Sequence, residues 1–87
     1  MPKFAHRPLS TIAQEITENW ANVSPYAKPY LTAMSWLDNI TDMYIHDSGV
    51  SIVLYFLSNA KTWHGPIARR VKKELNAIVK MEKEMRG

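Results

Sequence analysis

The sequence predicts an all-α protein: a compact bundle of about four helices, the last one long and amphipathic with a basic outer stripe. Three observations lead to this fold class. Apolar residues recur with helical spacing in several segments. Proline and glycine divide the chain into short units, and 87 residues suffice for one domain with a small core. We expect residues 1–8 to form an irregular N-terminal arm and residues 9–87 a single helical domain.

The first predicted helix follows the proline-containing opening segment. Ile12, Ile16 and Trp20 recur every four residues, which places them on one face of a helix. Ser10 or Thr11 is expected to cap its amino terminus, because a side-chain oxygen there can accept a hydrogen bond from a free backbone N–H.

The second predicted helix follows a short turn at residues 24–27 and begins at Pro29. Proline at the first helical position loses no hydrogen bond, whereas proline inside a helix removes one. Leu31, Met34 and Leu37 then form the buried stripe of this helix.

The segment DNITDMYIHDSG, residues 38–49, has no helical period and is predicted to be a loop. Asp47 or Ser48 is expected to cap the element that follows. That element contains VSIVLYFL, which is rich in β-branched and aromatic residues and is also compatible with a buried strand. Because a single strand would leave its backbone groups without partners, we predict a central helix over residues 47–61.

The last predicted helix opens at Gly65-Pro66 and divides into two faces when its residues are placed about 100° apart. The expected core face comprises Ile67, Ala68, Val71, Leu75, Ile78 and Val79. Another third of the circumference comprises Arg69, Lys72, Lys73, Asn76, Lys80 and Lys83, with no acidic residue among them.

The net charge of +3 is distributed unevenly along the chain. Residues 61–87 carry eight Lys/Arg and three Asp/Glu, giving +5, whereas residues 1–60 carry three and five, giving −2. A row of cations on one helix can contact several phosphates and release their counterions. We therefore predict nucleic-acid binding through the phosphate backbone, with these contacts: Arg69, Arg70, Lys72, Lys73, Lys80 and Lys83. The alternative is a solvated helix face that keeps the protein dispersed.

The connection TWHGPIARR raises a smaller question at the start of this helix. Free backbone N–H groups near Arg69 and Arg70 could hold an anion, with His64 joining them when protonated. The alternative, which we favour, is a tight helix–helix turn with Trp63 as its packing anchor.

Four side chains are candidates for contact with a protein partner. Trp36 and Tyr44 lie near a helix end or in the loop, where a large ring can stay exposed. Met81 and Met85 extend the apolar face of the last helix beyond the length that a small core needs. They could contact a protein partner or a second copy of the chain.

No combination of residues indicates chemistry. The chain has no cysteine, its three histidines lack carboxylate partners at metal-ligand spacing, and its three glycines form no phosphate loop. We therefore expect no catalytic residue, no bound metal, no cofactor and no enzymatic activity. The longest apolar run is far shorter than a membrane span and the start lacks a signal-peptide pattern, so we expect a cytoplasmic protein without a membrane partner.

Three stretches carry a resemblance to a group of proteins. They are LSTIAQEITENW, PYLTAMSWLD and DSGVSIVLYFLSNAKTWHGPIARRVKKEL, within residues 9–75. Together they resemble small helical proteins of unknown function encoded by bacteriophages, prophages and related mobile elements. The resemblance implies a protein made inside a bacterial host, and no catalytic motif comes with it. Similar sequences tend to have arginine at the position of His64, so an anion there would be held less firmly by this chain at neutral pH.

Two functional hypotheses follow. The first is a non-enzymatic nucleic-acid-binding module that uses the basic C-terminal helix. The alternative is a protein–protein interaction module that modulates a host or phage protein, for example as an inhibitor of a host defence or replication factor, or that forms a homo-oligomer. An amphipathic helix lying on a membrane ranks below both, because the core needs its apolar face.

Overall fold

Four α-helices and one short β-hairpin make up residues 6–86, the part of the chain that the computed structural model describes. Helix α1 spans Leu9–Asn19, α2 spans Lys28–Met34, α3 spans Gly49–Ser58 and α4 spans Pro66–Arg86. Strands β1 (Met43–Tyr44) and β2 (Asp47–Ser48) pair antiparallel between α2 and α3. The predicted mostly helical domain is confirmed. Residues 1–5 of the predicted arm lie outside the described residues.

Helix α3 packs against both α2 and α4, and α1 packs against the same two helices. Ile52, Val53 and Phe56 of α3 are buried with helical spacing, and Phe56 meets Trp20 edge-on at a ring-centroid distance of 6.2 Å. The stretch VSIVLYFL is therefore helical, as predicted. Its β-branched residues pack against neighbouring helices instead of a neighbouring strand, since tertiary burial outweighs their weak intrinsic preference.

Helix α1 begins differently from the prediction. Its N-cap residue is Pro8, and no side chain caps the helix, so the predicted cap by Ser10 or Thr11 is wrong. The backbone N–H of Leu9 donates to the Asp38 carbonyl (2.9 Å), and that of Ser10 donates to a neighbouring carbonyl (2.7 Å). The segment after α2 thus satisfies groups that a capping side chain would otherwise satisfy.

Helix α2 follows the predicted turn, in which the N–H of Ala27 donates to the Ser24 carbonyl (2.9 Å). It begins at Lys28, one residue before the predicted Pro29, so that proline falls in the first turn. Leu31 and Met34 are buried as predicted. The third member of the predicted stripe, Leu37, is also buried but lies beyond the end of the helix.

The predicted loop of residues 38–49 contains the β-hairpin, which the sequence analysis did not predict. Tyr44 pairs with Asp47 across a two-residue turn of Ile45 and His46. Ile45 has a φ of 58°, a left-handed conformation that β-branched residues rarely adopt. Ser48 caps α3, as predicted, by accepting a hydrogen bond from the Ser51 backbone N–H (3.2 Å).

Helix α4 buries five of the six residues on its expected core face: Ala68, Val71, Leu75, Ile78 and Val79. The sixth, Ile67, is 39% exposed, so its assignment to the core is wrong. Ile67 lies at the edge of the apolar sector, on the side that also carries Met81 and Met85. Glu82 is buried on the apolar side.

Candidate functional site

The basic stripe is defined here as Arg69, Lys72, Lys73, Lys80 and Lys83 of α4. Arg69, Lys73, Lys80 and Lys83 are exposed, and their side chains form no ion pair or hydrogen bond in the described part of the chain. From Arg69 to Lys83 the helix rises about 21 Å. These side chains can therefore reach an extended polyanion from one helix without first breaking an internal contact.

Lys72 differs from the other stripe residues because it is half-buried. Its Nζ donates a hydrogen bond to the carbonyl of Trp63, at 2.7 Å. Desolvation lowers the pKa of Lys72, since partial burial disfavours the charged ammonium. Lys72 therefore ties α4 to the connection that precedes it, and less of its charge faces solvent than the sequence pattern suggested.

Arg70, the sixth predicted nucleic-acid contact, belongs to an ion network with Arg7, Glu15 and Glu74. Arg7 donates from Nε and a terminal nitrogen to both Glu74 oxygens, at 2.9 and 2.7 Å. The same terminal nitrogen donates to Glu15 (2.8 Å), whose other oxygen accepts from Arg70. Hydrogen bonds from Arg7 and then Arg70 lower the pKa of Glu15, and hydrogen bonds to the two glutamates raise the pKa of Arg7.

In this ion network the Arg70 guanidinium donates to Glu15, and its predicted contact with nucleic acid stays a prediction. The network joins the segment before α1 to α1 and α4, so its first function is to hold these three parts together. The sequence could not indicate it, because Arg70 and Glu15 lie 55 residues apart and Arg7 and Glu74 lie 67 apart.

An open groove of about 400 Å³ lies between α3 and α4 beside the stripe. Its lining residues are Leu54, Asn76, Val79, Lys80, Lys83 and Glu84. The groove combines an apolar floor with two exposed lysines, while the carboxylate of Glu84 limits the positive potential at one edge. Leu54, which α3 contributes to the groove, could not be predicted from the helical pattern of α4.

A second open depression of about 430 Å³, which we call the polar pocket, lies where the end of α1 meets the α3–α4 connection. Its lining residues are Asn19, Trp20, Ala21, Asn22, Thr62, Trp63 and His64. The rings of Trp20 and Trp63 stack at a centroid distance of 5.6 Å with 13° between their planes. Trp63 also donates from its indole nitrogen to the carbonyl of Asn19 (3.2 Å). Trp63 is therefore the packing anchor of this turn, as predicted, whereas the pocket beside it was not predicted.

The four predicted partner contacts fall into different environments. Trp36 is 74% exposed, and Met81 and Met85 are also exposed, on α4. Tyr44 is half-buried and packs against the core, so Trp36 and Tyr44 do not form a jointly exposed pair. A further exposed apolar residue, Ile45, was not predicted and is 75% exposed at the tip of the hairpin. No local pattern marked it, because the hairpin itself was not predicted.

No protein-family model, curated protein or solved structure matches this chain. The resemblance to phage and mobile-element proteins therefore stays a prediction. Within residues 6–86, none of the helices combines the length and apolar character needed to cross a membrane. No three side chains of the metal-ligating types cluster in that same range.

Proposed function

We propose that this protein is a non-enzymatic module that binds the phosphate backbone of nucleic acid through its basic stripe. The observation that carries the proposal is the set of four exposed cations, Arg69, Lys73, Lys80 and Lys83, none of which is paired with an acid in the described residues. Contacts of this kind hold a nucleic acid in place and do not read its sequence. The predicted resemblance to phage and mobile-element proteins supports an activity inside a bacterial host.

The unpaired state of these cations matters because a lysine held in an ion pair must give up that partner before it binds phosphate. Free lysines instead exchange hydration for phosphate contact and release counterions from the nucleic acid. The acids of α4 that lie near the row, Glu74 and Glu84, are on its flanks, and Glu74 is already bound to Arg7. The four exposed cations therefore support a positive surface along α4, which Glu84 limits at the edge of the groove.

The proposal is tested by fluorescence anisotropy with labelled single-stranded and duplex DNA over a series of salt concentrations. We expect binding to weaken as salt rises, and we expect the double variant Lys80→Ala/Lys83→Ala to reduce the log–log salt slope by about 2. The matched control is Lys28→Ala/Lys61→Ala, which removes two exposed lysines outside the stripe. Binding without salt dependence, or an equal loss in the control variant, would contradict the proposal.

A second candidate function is a protein-interaction module. It is favoured by the exposed indole ring of Trp36 and the exposed aliphatic side chain of Ile45. Tryptophan is enriched at the hot spots of protein interfaces. The partner would be a host protein, a phage protein or a second copy. Light scattering and affinity capture from host lysate, each compared with Trp36→Ser, test this candidate. Two results together would argue against this candidate: light scattering shows only a monomer, and the native protein and Trp36→Ser capture the same proteins from the lysate.

A further inference from the structure

The polar pocket and the basic stripe are physically connected. Trp63 lines the pocket, and its carbonyl accepts the hydrogen bond from Lys72 Nζ of the stripe. His64 lines the pocket, and α4 begins two residues later at Pro66. Arg69, the first stripe residue, lies in the first turn of that helix. A strand whose phosphates follow the stripe toward the start of α4 therefore arrives at the pocket.

The pocket offers hydrogen-bonding groups that the fold does not use. The side chains of Asn22, Thr62 and His64 are exposed and make no hydrogen bond in the described part of the chain. An amide, a hydroxyl and an imidazole together provide both donors and acceptors. Asn19 differs, because its side-chain amide already donates to the carbonyl of Glu15 (2.8 Å).

Two packed indole rings lie behind these groups. Trp20 and Trp63 are both buried and stacked on one another, and the indole nitrogen of Trp63 is held by the Asn19 carbonyl. The depression of about 430 Å³ is large enough for one small organic group, which would stay partly open to solvent. An apolar wall with a few free polar groups at its rim suits a flat heteroaromatic ring with polar edges.

We propose that the nucleic acid bound by this protein is single-stranded and that one unstacked base enters the polar pocket. This inference rests on the proposed function, because the stripe must hold the phosphates that lead to the pocket. A base in a duplex is stacked and paired, so its hydrogen-bonding edge is occupied. An unpaired base can turn out of the strand, where Asn22, Thr62 and His64 can bind that edge.

The test compares two labelled single strands of equal length, about 12 nucleotides, within the range that single-strand-binding sites cover. One strand carries thymine at every position, and the other carries abasic sites with the same number of phosphates. We expect the native protein to bind the thymine strand about tenfold more tightly, the effect of one well-bound base edge. The double variant Asn22→Ala/Thr62→Ala should lose most of this preference and keep its affinity for the abasic strand.

Two further variants separate this inference from the proposed function. Lys80→Ala/Lys83→Ala should weaken binding of both strands by the same factor and leave their ratio unchanged. Thr32→Ala/Asn39→Ala is the matched control, since it removes an exposed amide and hydroxyl outside the pocket. Thermal unfolding of each variant verifies that the fold is retained, which we expect because Asn22 and Thr62 are exposed.

Equal affinity for the thymine and abasic strands would overturn the inference, even if the stripe variant still reduces the salt slope. An unchanged preference in Asn22→Ala/Thr62→Ala would also overturn it, because the base would then be bound elsewhere. If no strand showed salt-dependent binding, the proposed function and this inference would both be overturned.

Discussion

Ile45 combines a costly backbone conformation with an exposed side chain. Its φ of 58° brings the β-carbon of an L-residue close to its own backbone, at a cost of about 1–2 kcal/mol. With 75% of its surface exposed, the side chain gains little from burial in return. An exposed aliphatic side chain at such a position is consistent with the second candidate function, in which the hairpin tip contacts a partner.

Replacing Ile45 with asparagine should stabilise the protein, since asparagine tolerates the left-handed conformation. We expect Ile45→Asn to raise the unfolding free energy by about 1 kcal/mol, which corresponds to a rise in Tm of about 4–8 °C for a domain of this size. Thermal and denaturant unfolding measure the effect. Met43→Asn, an exposed position on β1 without a positive φ, should show no such gain; an equal gain in both variants would show that backbone conformation is not the cause.

The basic side chains of α4 differ in how available they are to a ligand, because they make different contacts with the rest of the protein. Lys72 gives its ammonium to the Trp63 carbonyl, Arg70 gives its guanidinium to Glu15, and Lys80 keeps its charge in solvent. The sequence grouped these residues by helical position alone. Their availability for a ligand depends on contacts with other segments.

At the scale of elements, α3 depends on the residue just before its first turn. The Ser48 hydroxyl accepts a hydrogen bond from the Ser51 N–H, one of the groups that a helix start leaves free. We expect Ser48→Ala to lower the unfolding free energy by about 1 kcal/mol in denaturant titration. Ser58→Ala, at the other end of α3, serves as the control because its hydroxyl donates to a helix carbonyl that is already accepting. A loss in Ser58→Ala as large as in Ser48→Ala would argue against the capping role.

The packing of α3 against the preceding segment requires glycine at position 49. A β-carbon there would lie 2.5 Å from the backbone carbonyl oxygen of Ile40, and a backbone atom cannot move aside as a side chain can. Glycine to alanine usually stabilises a helix by about 0.5–1 kcal/mol. Gly49→Ala should instead destabilise the protein by about 1–3 kcal/mol, the range for overpacking.

Urea unfolding of Gly49→Ala, compared with Gly65→Ala, distinguishes steric crowding from backbone conformation. No atom lies within 4 Å of a β-carbon at Gly65, whose φ is 109°, so any cost there comes from its conformation alone. If Gly49→Ala raised the unfolding free energy, the backbone of α3 would not approach the Ile40 carbonyl as closely as the structure places it.

At the scale of the whole molecule, the ion network joins segments that are distant in sequence and makes stability depend on pH. Glu15 accepts hydrogen bonds from Arg7 and Arg70 and therefore has a pKa below its ordinary value of 4.5. The folded protein thus binds fewer protons than the unfolded chain around this pH. The contribution is present above pH 4.5 and is lost as pH falls through the lowered pKa.

We expect the unfolding free energy of the native protein to fall as the pH drops below 4.5 and through the lowered pKa of Glu15, and Glu15→Gln to reduce this fall because it removes the titrating carboxylate. Urea titrations at a series of pH values measure it. Glu18→Gln, which neutralises an exposed carboxylate on the same helix, is the control and should retain the native pH dependence. Identical pH profiles for the native protein and Glu15→Gln would rule out a contribution from the network.

The sequence by itself determined the helical class, the central helix and most buried faces, and it limited the cap of the central helix to Asp47 or Ser48, because these follow from local spacing. It also placed the cations of α4 on one side of the helix. The hairpin escaped prediction because its turn, Ile45-His46, lacks the asparagine and glycine that usually mark a tight turn. Ile67 escaped because periodicity locates an apolar face and does not show how far neighbouring helices extend over it.

The tertiary structure alone decided which cations are free, how α1 begins and where a ligand could enter. The carbonyl of Asp38 accepts a hydrogen bond from the Leu9 N–H, and the polar pocket is lined by Asn22 and Thr62, from two separate connections. These features join residues far apart in the chain, so they depend on how the helices pack. Local periodicity contains no information about that packing, because the same amphipathic helices can be arranged in more than one way.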